Sequence, residues 1–246
     1  MFSKSTVKYI QSLQHKKFRD EEGRFIAEGP KAVAELLDGG IFACTHIYAI
    51  PGWLDKMPRS FKPPAYPETA LIKDFELEKI SSLSTPNQVL AVFEKKPVNI
   101  EPNMLGKKTL VLDDIQDPGN LGTIIRIADW FGIENIVCSL QTADMYNPKV
   151  VQSTMASLQR VNIIYTELEG WLSKQSIRKY AAALNGRSLD DMGSTVESIL
   201  IIGNESKGIS EAVMNLADEK LTIPRIGAAE SLNAGVATGI LLYGLK

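Results

Sequence analysis

The second half of the chain alternates between short apolar runs and segments in which apolar residues recur at helical spacing. The apolar runs are typical of buried strands and lie near Leu110, Ile136, Ile163, Ala181, Leu200 and Leu221. The segments between them predict helices near Ile125, Val151, Trp171, Ala212 and Ala237. Strands that alternate with helices favour a mostly parallel sheet, covered by helices on both faces.

The first part of the chain has a different pattern, which predicts a smaller α/β unit. Helices are predicted at residues 3–14, 30–38 and 73–83, and strands at residues 46–50 and 88–93. The segment that follows is rich in Pro, Asn and Lys and has little periodicity, as is typical of a linker. We therefore predict an N-terminal domain at residues 1–94, a linker at 95–108 and a second domain at 109–246.

Composition narrows the class of protein. Apolar residues make up 44% of the 246 residues and charged residues 23%, which is ordinary for a globular protein. No apolar run is long enough to span a bilayer, and the N-terminus lacks a signal-peptide core, so we expect a cytoplasmic protein without a membrane partner. The two cysteines and two histidines lack motif context, which argues against a disulfide framework, a metal site and histidine-based catalysis.

The charge is unevenly distributed. A net charge of −2 argues against bulk nucleic-acid binding. Residues 1–19 nevertheless contain no acidic residue and five basic ones, namely Lys4, Lys8, Lys16, Lys17 and Arg19. These side chains form either a solvated helix face or a local contact to phosphates, where each cation would release counterions.

A first polar cluster follows the strand at Leu110, in the segment TLVLDDIQDPGNLGTIIRIADWFG. Asp117-Pro118-Gly119 predicts a turn, Asn120 a helix N-cap, and Gly132 the end of that helix. Five apolar residues share the predicted buried face, whereas Thr123, Arg126 and Trp130 fall on the other side. Asn120 and Arg126 would thus lie at the carboxyl end of a strand, where open α/β sheets bind ligands. A structural cap and a solvated arginine are the alternative interpretation.

Two further clusters follow later strands. In ILIIGNESKGIS an apolar run leads into Gly203, Asn204 and Glu205, so that a ligand could approach the glycine backbone and Glu205 could act as an acid, base or ion partner. In LTIPRIGAAESLNAGVATGI a loop leads to a helix of small residues, for which Ser231 is the predicted N-cap. An exposed loop glutamate and a tightly packed capped helix are the alternatives. The chain contains neither GxGxxG nor GxxxxGK[ST].

Together, in this order and spacing, DPGNLGTIIRIADWFG, IIGNESKG and IPRIGAAESLNAGVA resemble the motifs of the SpoU (TrmH) family of RNA ribose 2′-O-methyltransferases, within the SPOUT superfamily. FIAEGPKAVAELL resembles the substrate-binding domain of that family. The resemblance implies an α/β fold: a parallel-sheet SPOUT-type methyltransferase domain with a C-terminal trefoil knot, preceded by a small α/β substrate-binding domain. It also implies S-adenosyl-L-methionine as cofactor, RNA as substrate and a homodimer with active sites at the subunit interface.

The resemblance also assigns residues by position. It implies catalytic roles for Asn120, Arg126, Glu205, Ser231 and Asn233. It implies cofactor contacts, mostly through main-chain groups, at Ile202, Gly203, Asn204, Ile223 and Leu232, with Leu184, Asn185 and Gly186 nearby. The chain departs from the family's usual residues at Ala234-Gly235 (usually Val-Ser), at Arg225 (usually Met) and at residues 152–157 (often Arg-Ala-Ser-Met-Gly-Ala).

We therefore expect 2′-O-methylation of a ribose in structured RNA, with ribosomal RNA ahead of transfer RNA because of the extra N-terminal domain. The alternatives are a non-catalytic RNA-binding or ribosome-assembly protein and an unrelated nucleotide-binding enzyme. The family's arginine is proposed to act as the base, but a guanidinium with a pKa above about 12 is a poor base. Our hypothesis is that Arg126 binds the phosphate beside the target ribose. Asn120, Ser231 and Asn233 would position Arg126 and the ribose, and Glu205 would orient the site.

Overall fold

The computed structural model describes residues 2–55, 67–97 and 103–246. The chain divides into two compact units, one of residues 1–97 with 146–159 and one of residues 98–145 with 160–246. Part of the predicted linker, residues 98–102, and most of the proline-rich stretch after residue 55 lie outside the described residues. The domain boundaries themselves stay a prediction. Across the described ranges, no helix has the length and apolarity to cross a membrane.

The first unit is built on a four-stranded mixed sheet with the order β1-β4-β2-β3. Its elements before residue 97 are α1 (Lys4–Ser12), α2 (Lys16–Glu22), β1 (Arg24–Glu28), α3 (Pro30–Gly39), β2 (Cys44–Ala49), α4 (Pro51–Leu54), β3 (Glu68–Leu71), α5 (Asp74–Ile80) and β4 (Val89–Glu94). The three helices and two strands expected from the apolar pattern are confirmed, and α2, α4, β1 and β3 were not anticipated. Helices α1 and α5 bury Ile10, Leu77 and Ile80 in the same core.

The FIAEGP segment has a structural role in this unit. Glu28, at the end of β1, is buried, and its carboxylate accepts hydrogen bonds from the hydroxyls of Ser81 and Ser82 and from the Ser82 backbone N–H at 2.8 Å. Gly29 follows with φ 88°, a conformation that side chains disfavour. Pro30 then occupies the first turn of α3. Glu28 thereby holds the loop after α5 against the end of β1.

Arg19 does not belong to the exposed basic surface. Its side chain is 1% exposed, and Nη1 donates to the backbone carbonyls of Leu13 at 3.0 Å and Gln14 at 2.8 Å. The guanidinium therefore satisfies carbonyl groups at the end of α1. The expectation that Arg19 contacts RNA is wrong, because its donors are buried inside the first unit.

The lysines of α2 are exposed but paired. Lys16 Nζ lies 2.6 Å from Asp20 Oδ2, and Lys17 Nζ lies 3.8 Å from Glu21 Oε1, both with the helical i, i+4 spacing. The acidic residues that neutralise this basic run begin immediately after it. Lys16 and Lys17 are therefore weaker candidates for phosphate contacts than the basic run suggested.

The second unit contains a six-stranded parallel sheet with the order β10-β8-β9-β5-β6-β7. The elements from residue 108 onward are β5 (Lys108–Asp113), α6 (Pro118–Trp130), β6 (Asn135–Ser139), α7 (Pro148–Thr154), β7 (Asn162–Thr166), α8 (Leu168–Leu172), β8 (Lys179–Ser188), β9 (Ser198–Gly203), α9 (Glu211–Met214), β10 (Glu219–Thr222) and α10 (Ala234–Gly244). Helix α7 lies in the segment that is grouped with the first unit. All six strands and five helices expected here are confirmed, as is the parallel sheet.

The strand order places a topological switch point between β5 and β9. From β5 the chain continues to β6 and β7 on one side, and it later returns to build β8, β9 and β10 on the other side. Strands β5 and β9 stay in register up to the pair Asp113–Gly203, so the loops after them leave the same edge of the sheet. Ligands of open α/β sheets bind at such a point. The first two sequence clusters therefore meet there.

Two predicted helix caps are wrong by a few residues. Asp117, not Asn120, caps α6, since its side chain accepts from the Asn120 backbone N–H at 2.8 Å and Pro118 takes the first helical position. Asn233, not Ser231, caps α10, because it directly precedes the first helical residue. The predicted faces of α6 are confirmed, with Trp130 85% exposed on the polar side.

Candidate active site

Three side chains from three distant segments form a hydrogen-bonded chain. Asn120, in the first turn of α6, donates through Nδ2 to Glu205 Oε1 in the loop after β9. Asn233 donates through Nδ2 to Asn120 Oδ1 at 2.8 Å. The partners of Asn120 are 85 and 113 positions away in the sequence. The structure thus brings together three of the five predicted catalytic residues at the switch point.

The chain of hydrogen bonds has a fixed direction. An ionised Glu205 carboxylate only accepts, so the Asn120 NH2 group must face it. The Asn120 oxygen is then left for the Asn233 NH2 group, and this leaves the Asn233 oxygen for the start of α10. That oxygen accepts from the backbone N–H groups of Gly235 at 3.0 Å and Val236 at 3.3 Å. Glu205 at one end and the N–H groups of α10 at the other therefore require the same orientation of both amides.

Arg126 lies on the same helix as Asn120, six positions later. It is exposed, and it follows Thr123 by three positions on the polar face of α6. Within residues 2–55, 67–97 and 103–246 its guanidinium makes no hydrogen bond and no ion pair. An exposed guanidinium offers five N–H donors in a fork that matches a phosphate. Ser231 is also exposed, and its hydroxyl has no hydrogen bond among these described residues.

The residues predicted to bind the cofactor follow three neighbouring strands. Gly203 ends β9, residues 184–186 belong to β8, and Ile223 comes directly after β10. The order β10-β8-β9 places these segments side by side at the carboxyl edge of the sheet. The β8–β10 ladder is interrupted there: Lys220 pairs with Ala181, but the next residue of β10 pairs with Arg187. Residues 182–186 therefore bulge out of the sheet.

The chemistry of these segments fits the adenosine part of S-adenosylmethionine. Leu184 is 78% exposed, Leu232 is 47% exposed and Ile226 is fully exposed. Leaving such a side chain in water forgoes about 1.5–3 kcal/mol of burial free energy, so an apolar group that covers any of them is favoured. Ile226 was not predicted, although an isolated Ile in a polar loop was a usable signal.

Gly203 and Asn204 build the loop around Glu205. The glycine was expected instead to let a ligand approach the backbone. A Cβ on Gly203 would lie 2.3 Å from the backbone at residues 208–209, so this position needs a glycine for its own loop and not for a ligand. The Asn204 oxygen accepts from the backbone N–H groups of residues 206–207 at 2.9 and 3.1 Å. The side chain of Asn204 is thus occupied, and its backbone N–H and C=O pair with Gly208 at 3.0 and 2.9 Å, so Asn204 closes this loop.

The thiols of the chain are poorly suited to nucleophilic chemistry. Burial raises the pKa of Cys44 to about 12, and complete burial also raises the pKa of Cys138. Both histidines lie in the first unit. In the part of the chain that the structure describes, no three His, Cys, Asp or Glu side chains are grouped as metal ligands.

Comparison with known families covers both units. Residues 107–243 match the SpoU rRNA Methylase family. Residues 4–91 match the MRM3-like substrate binding domain. The first match contains all five predicted catalytic residues, and the second contains the four exposed lysines of the N-terminal segment.

Individual relatives match along almost the whole chain. The 23S rRNA (guanosine(2553)-2′-O)-methyltransferase RlmP of Bacillus subtilis is 30% identical over 98% of this chain and 95% of its own length. A solved structure of a TrmH-family protein from Porphyromonas gingivalis is 36% identical, with a TM-score of 0.87 over 100% of this chain and 98% of that one. An AdoMet-bound rRNA methyltransferase from Sinorhizobium meliloti is 28% identical, with a TM-score of 0.87 over 100% and 95%.

Proposed function

The chain belongs to the SpoU rRNA Methylase family, and from this we propose that it transfers a methyl group from S-adenosylmethionine to a ribose 2′-hydroxyl of ribosomal RNA. The observation that carries the proposal is the Glu205–Asn120–Asn233 chain at the switch point, with the exposed Arg126 on the same helix as Asn120. Ribosomal RNA is favoured because RlmP, which is similar along both units, is named for that substrate.

The residues of the site bind and orient the ribose. S-adenosylmethionine supplies an electrophilic methyl group on a positively charged sulfur. Arg126 grips the phosphate next to the target ribose through paired hydrogen bonds. Asn120 and Asn233 hold the surrounding loops in place, with Glu205 fixing their amides and Ser231 near the ribose. Correct positioning supplies about 7–11 kcal/mol of the barrier in reactions of this kind.

The same proposal includes a homodimer, a C-terminal trefoil knot and a cytoplasmic location. The homodimer is supported by an exposed apolar surface on α6 and α10, formed by Trp130, Val236, Ile240 and Tyr243. The knot is supported by a TM-score of 0.87 along the whole chain with structures of related methyltransferases. The location is supported by bacterial relatives that act on ribosomal RNA.

A methyl-transfer assay tests the proposed reaction. The purified protein is incubated with tritium-labelled S-adenosylmethionine and total RNA from a strain that lacks the gene, and 2′-O-methylation is mapped. We expect label in one ribose of ribosomal RNA. Label in transfer RNA would support the proposed reaction but contradict ribosomal RNA as its substrate. Absence of both label and calorimetric cofactor binding would favour the non-catalytic RNA-binding alternative.

Lys4 and Lys8 are the strongest candidates for RNA contacts in the first unit. Both are exposed, and with Lys79 they line a groove of about 320 Å³ between α1 and α5. In the Lys4→Ala/Lys8→Ala protein, we expect weaker RNA binding and a smaller dependence of affinity on salt. Each lost phosphate contact should reduce the slope of log K against log[salt] by about 0.7–0.9. Filter binding from 50 to 300 mM salt measures this slope.

The matched control is Lys16→Ala/Lys17→Ala. It removes the same charge from a neighbouring helix, but those ammonium groups are already paired with Asp20 and Glu21. We expect a smaller change in the salt slope for this pair. Equal slopes for the two double variants would contradict a specific role for Lys4 and Lys8.

A further inference from the structure

Helix α10 approaches α6 through two glycines, and only one of them lacks room for a side chain. A Cβ on Gly235 would lie 2.9 Å from Thr123 Cγ2, which is closer than real Cβ atoms approach. A Cβ on Gly239, one turn later, would lie 3.7 Å from Ile127 Cδ1, an ordinary contact distance. Of the two glycines, Gly235 is therefore the one packed tightly against α6, at Thr123.

The Thr123 methyl group has little freedom to move away. Its hydroxyl donates to the Gly119 carbonyl at 2.8 Å, which fixes the side-chain rotamer. Threonine is also stiff at χ1 in a helix because its Cβ is branched. A side chain at position 235 would therefore push the start of α10 away from α6.

This contact lies between the two asparagines that bridge the site. Thr123 follows Asn120 by one turn of α6, and the Gly235 backbone N–H donates to the Asn233 cap at 3.0 Å. The distance between the helices at Thr123 and Gly235 therefore determines whether the Asn233 amide reaches Asn120, which it does at 2.8 Å.

We propose that Thr123 and Gly235 are a matched pair that sets the separation of Asn120 and Asn233. Gly235 is thus a positioning residue for methyl transfer, which acts through Asn233 and not through substrate. This inference rests on the proposed function. The double variant Gly235→Ala/Thr123→Ser adds a methyl group at position 235 and removes one at position 123. It should therefore preserve the separation of Asn120 and Asn233.

The test compares kcat for ribosomal RNA and melting temperature in four variants and the wild type. Gly235→Ala should lower kcat by about tenfold or more, because a displacement near 1 Å can cost about a hundredfold. Its KM for RNA should be unchanged. Gly239→Ala, which adds the same methyl group to the same helix, should retain the wild-type kcat. Thr123→Ser keeps the hydroxyl and removes the methyl group; it should lower kcat a few-fold alone and restore kcat in Gly235→Ala/Thr123→Ser.

The outcomes separate this inference from the proposed function. If the wild type transfers no label, the proposed function fails and the inference with it. If the wild type is active but Gly235→Ala and Gly239→Ala have equal kcat, only the inference is overturned. The same holds if Thr123→Ser does not rescue Gly235→Ala. Should Gly235→Ala fail to fold, an unchanged kcat in Thr123→Ser alone overturns the inference.

Discussion

Arg126→Ala should reduce kcat/KM for RNA methylation by about 10²- to 10³-fold, the range found when a transition-state donor is removed. The guanidinium is exposed and makes no hydrogen bond or ion pair in the described parts of the chain, so its removal leaves no buried group unsatisfied. The loss should therefore appear in catalysis and not in stability. Single-turnover transfer of labelled methyl groups, with cofactor affinity measured by calorimetry, separates these effects.

Two control variants define the role of Arg126. Arg126→Lys keeps the charge but loses the planar fork, so it should recover only part of the rate. Arg178→Ala also removes an exposed arginine from the second unit, but Arg178 precedes β8 at the amino edge of the sheet and pairs with Glu219 at 2.9 Å. It should retain the wild-type rate. If the Arg126→Ala protein folds, binds the cofactor and methylates RNA at the wild-type rate, the proposed role of Arg126 in binding the phosphate is wrong.

Asn120→Asp should lower kcat by about 10- to 100-fold at pH 8 and recover as the pH falls. The substitution replaces the NH2 donor that faces Glu205 with a carboxylate, so two negative charges meet where one hydrogen bond was. A carboxylate pair at such a distance raises one of its pKa values, because both groups cannot ionise together. Below that raised pKa the protonated member donates again and restores the bond. The ratio of variant to wild-type kcat, measured from pH 8 to pH 5.5, should therefore rise toward low pH.

Asn120→Ala is the control for this pH dependence. It removes the amide without adding a titrating group, so its rate relative to the wild type should be low and independent of pH. If Asn120→Asp shows the same flat ratio, the hydrogen bond from Asn120 to Glu205 does not matter for the rate. In both variants, kcat should change more than KM for RNA, since RNA binding is assigned mainly to the first unit.

The apolar pattern was sufficient for the centre of the second sheet because the parallel strands β5, β6 and β9 are buried on both faces and read as continuous apolar runs. It failed for edge strand β3, which has exposed residues, and for β1, in which charged residues flank only three apolar ones. It also placed Arg19 on the surface. Whether a cation is solvated or satisfies carbonyl groups depends on tertiary packing, which a local charge run does not contain.

For the site, the sequence and its resemblance gave residue types but not their contacts. Asn120 was identified, yet its partners depend on a strand order that places β9 next to β5. The predicted caps were displaced because several good capping residues occur close together, and only the exact helix start decides among them. The tight contact at Gly235 was invisible for the same reason: the neighbour that makes it tight lies on another helix.

The hydrogen bonds of Asn233 link the proposed site to folding. Active-site residues are commonly retained at a cost in stability, and their replacement often raises the melting temperature. Asn233 differs, because its oxygen caps the N-terminus of α10 while its NH2 group reaches Asn120. Loss of such an N-cap costs about 1 kcal/mol. Selection for the proposed activity and selection for thermal robustness therefore favour the same residue, and position 233 escapes the usual trade-off between them.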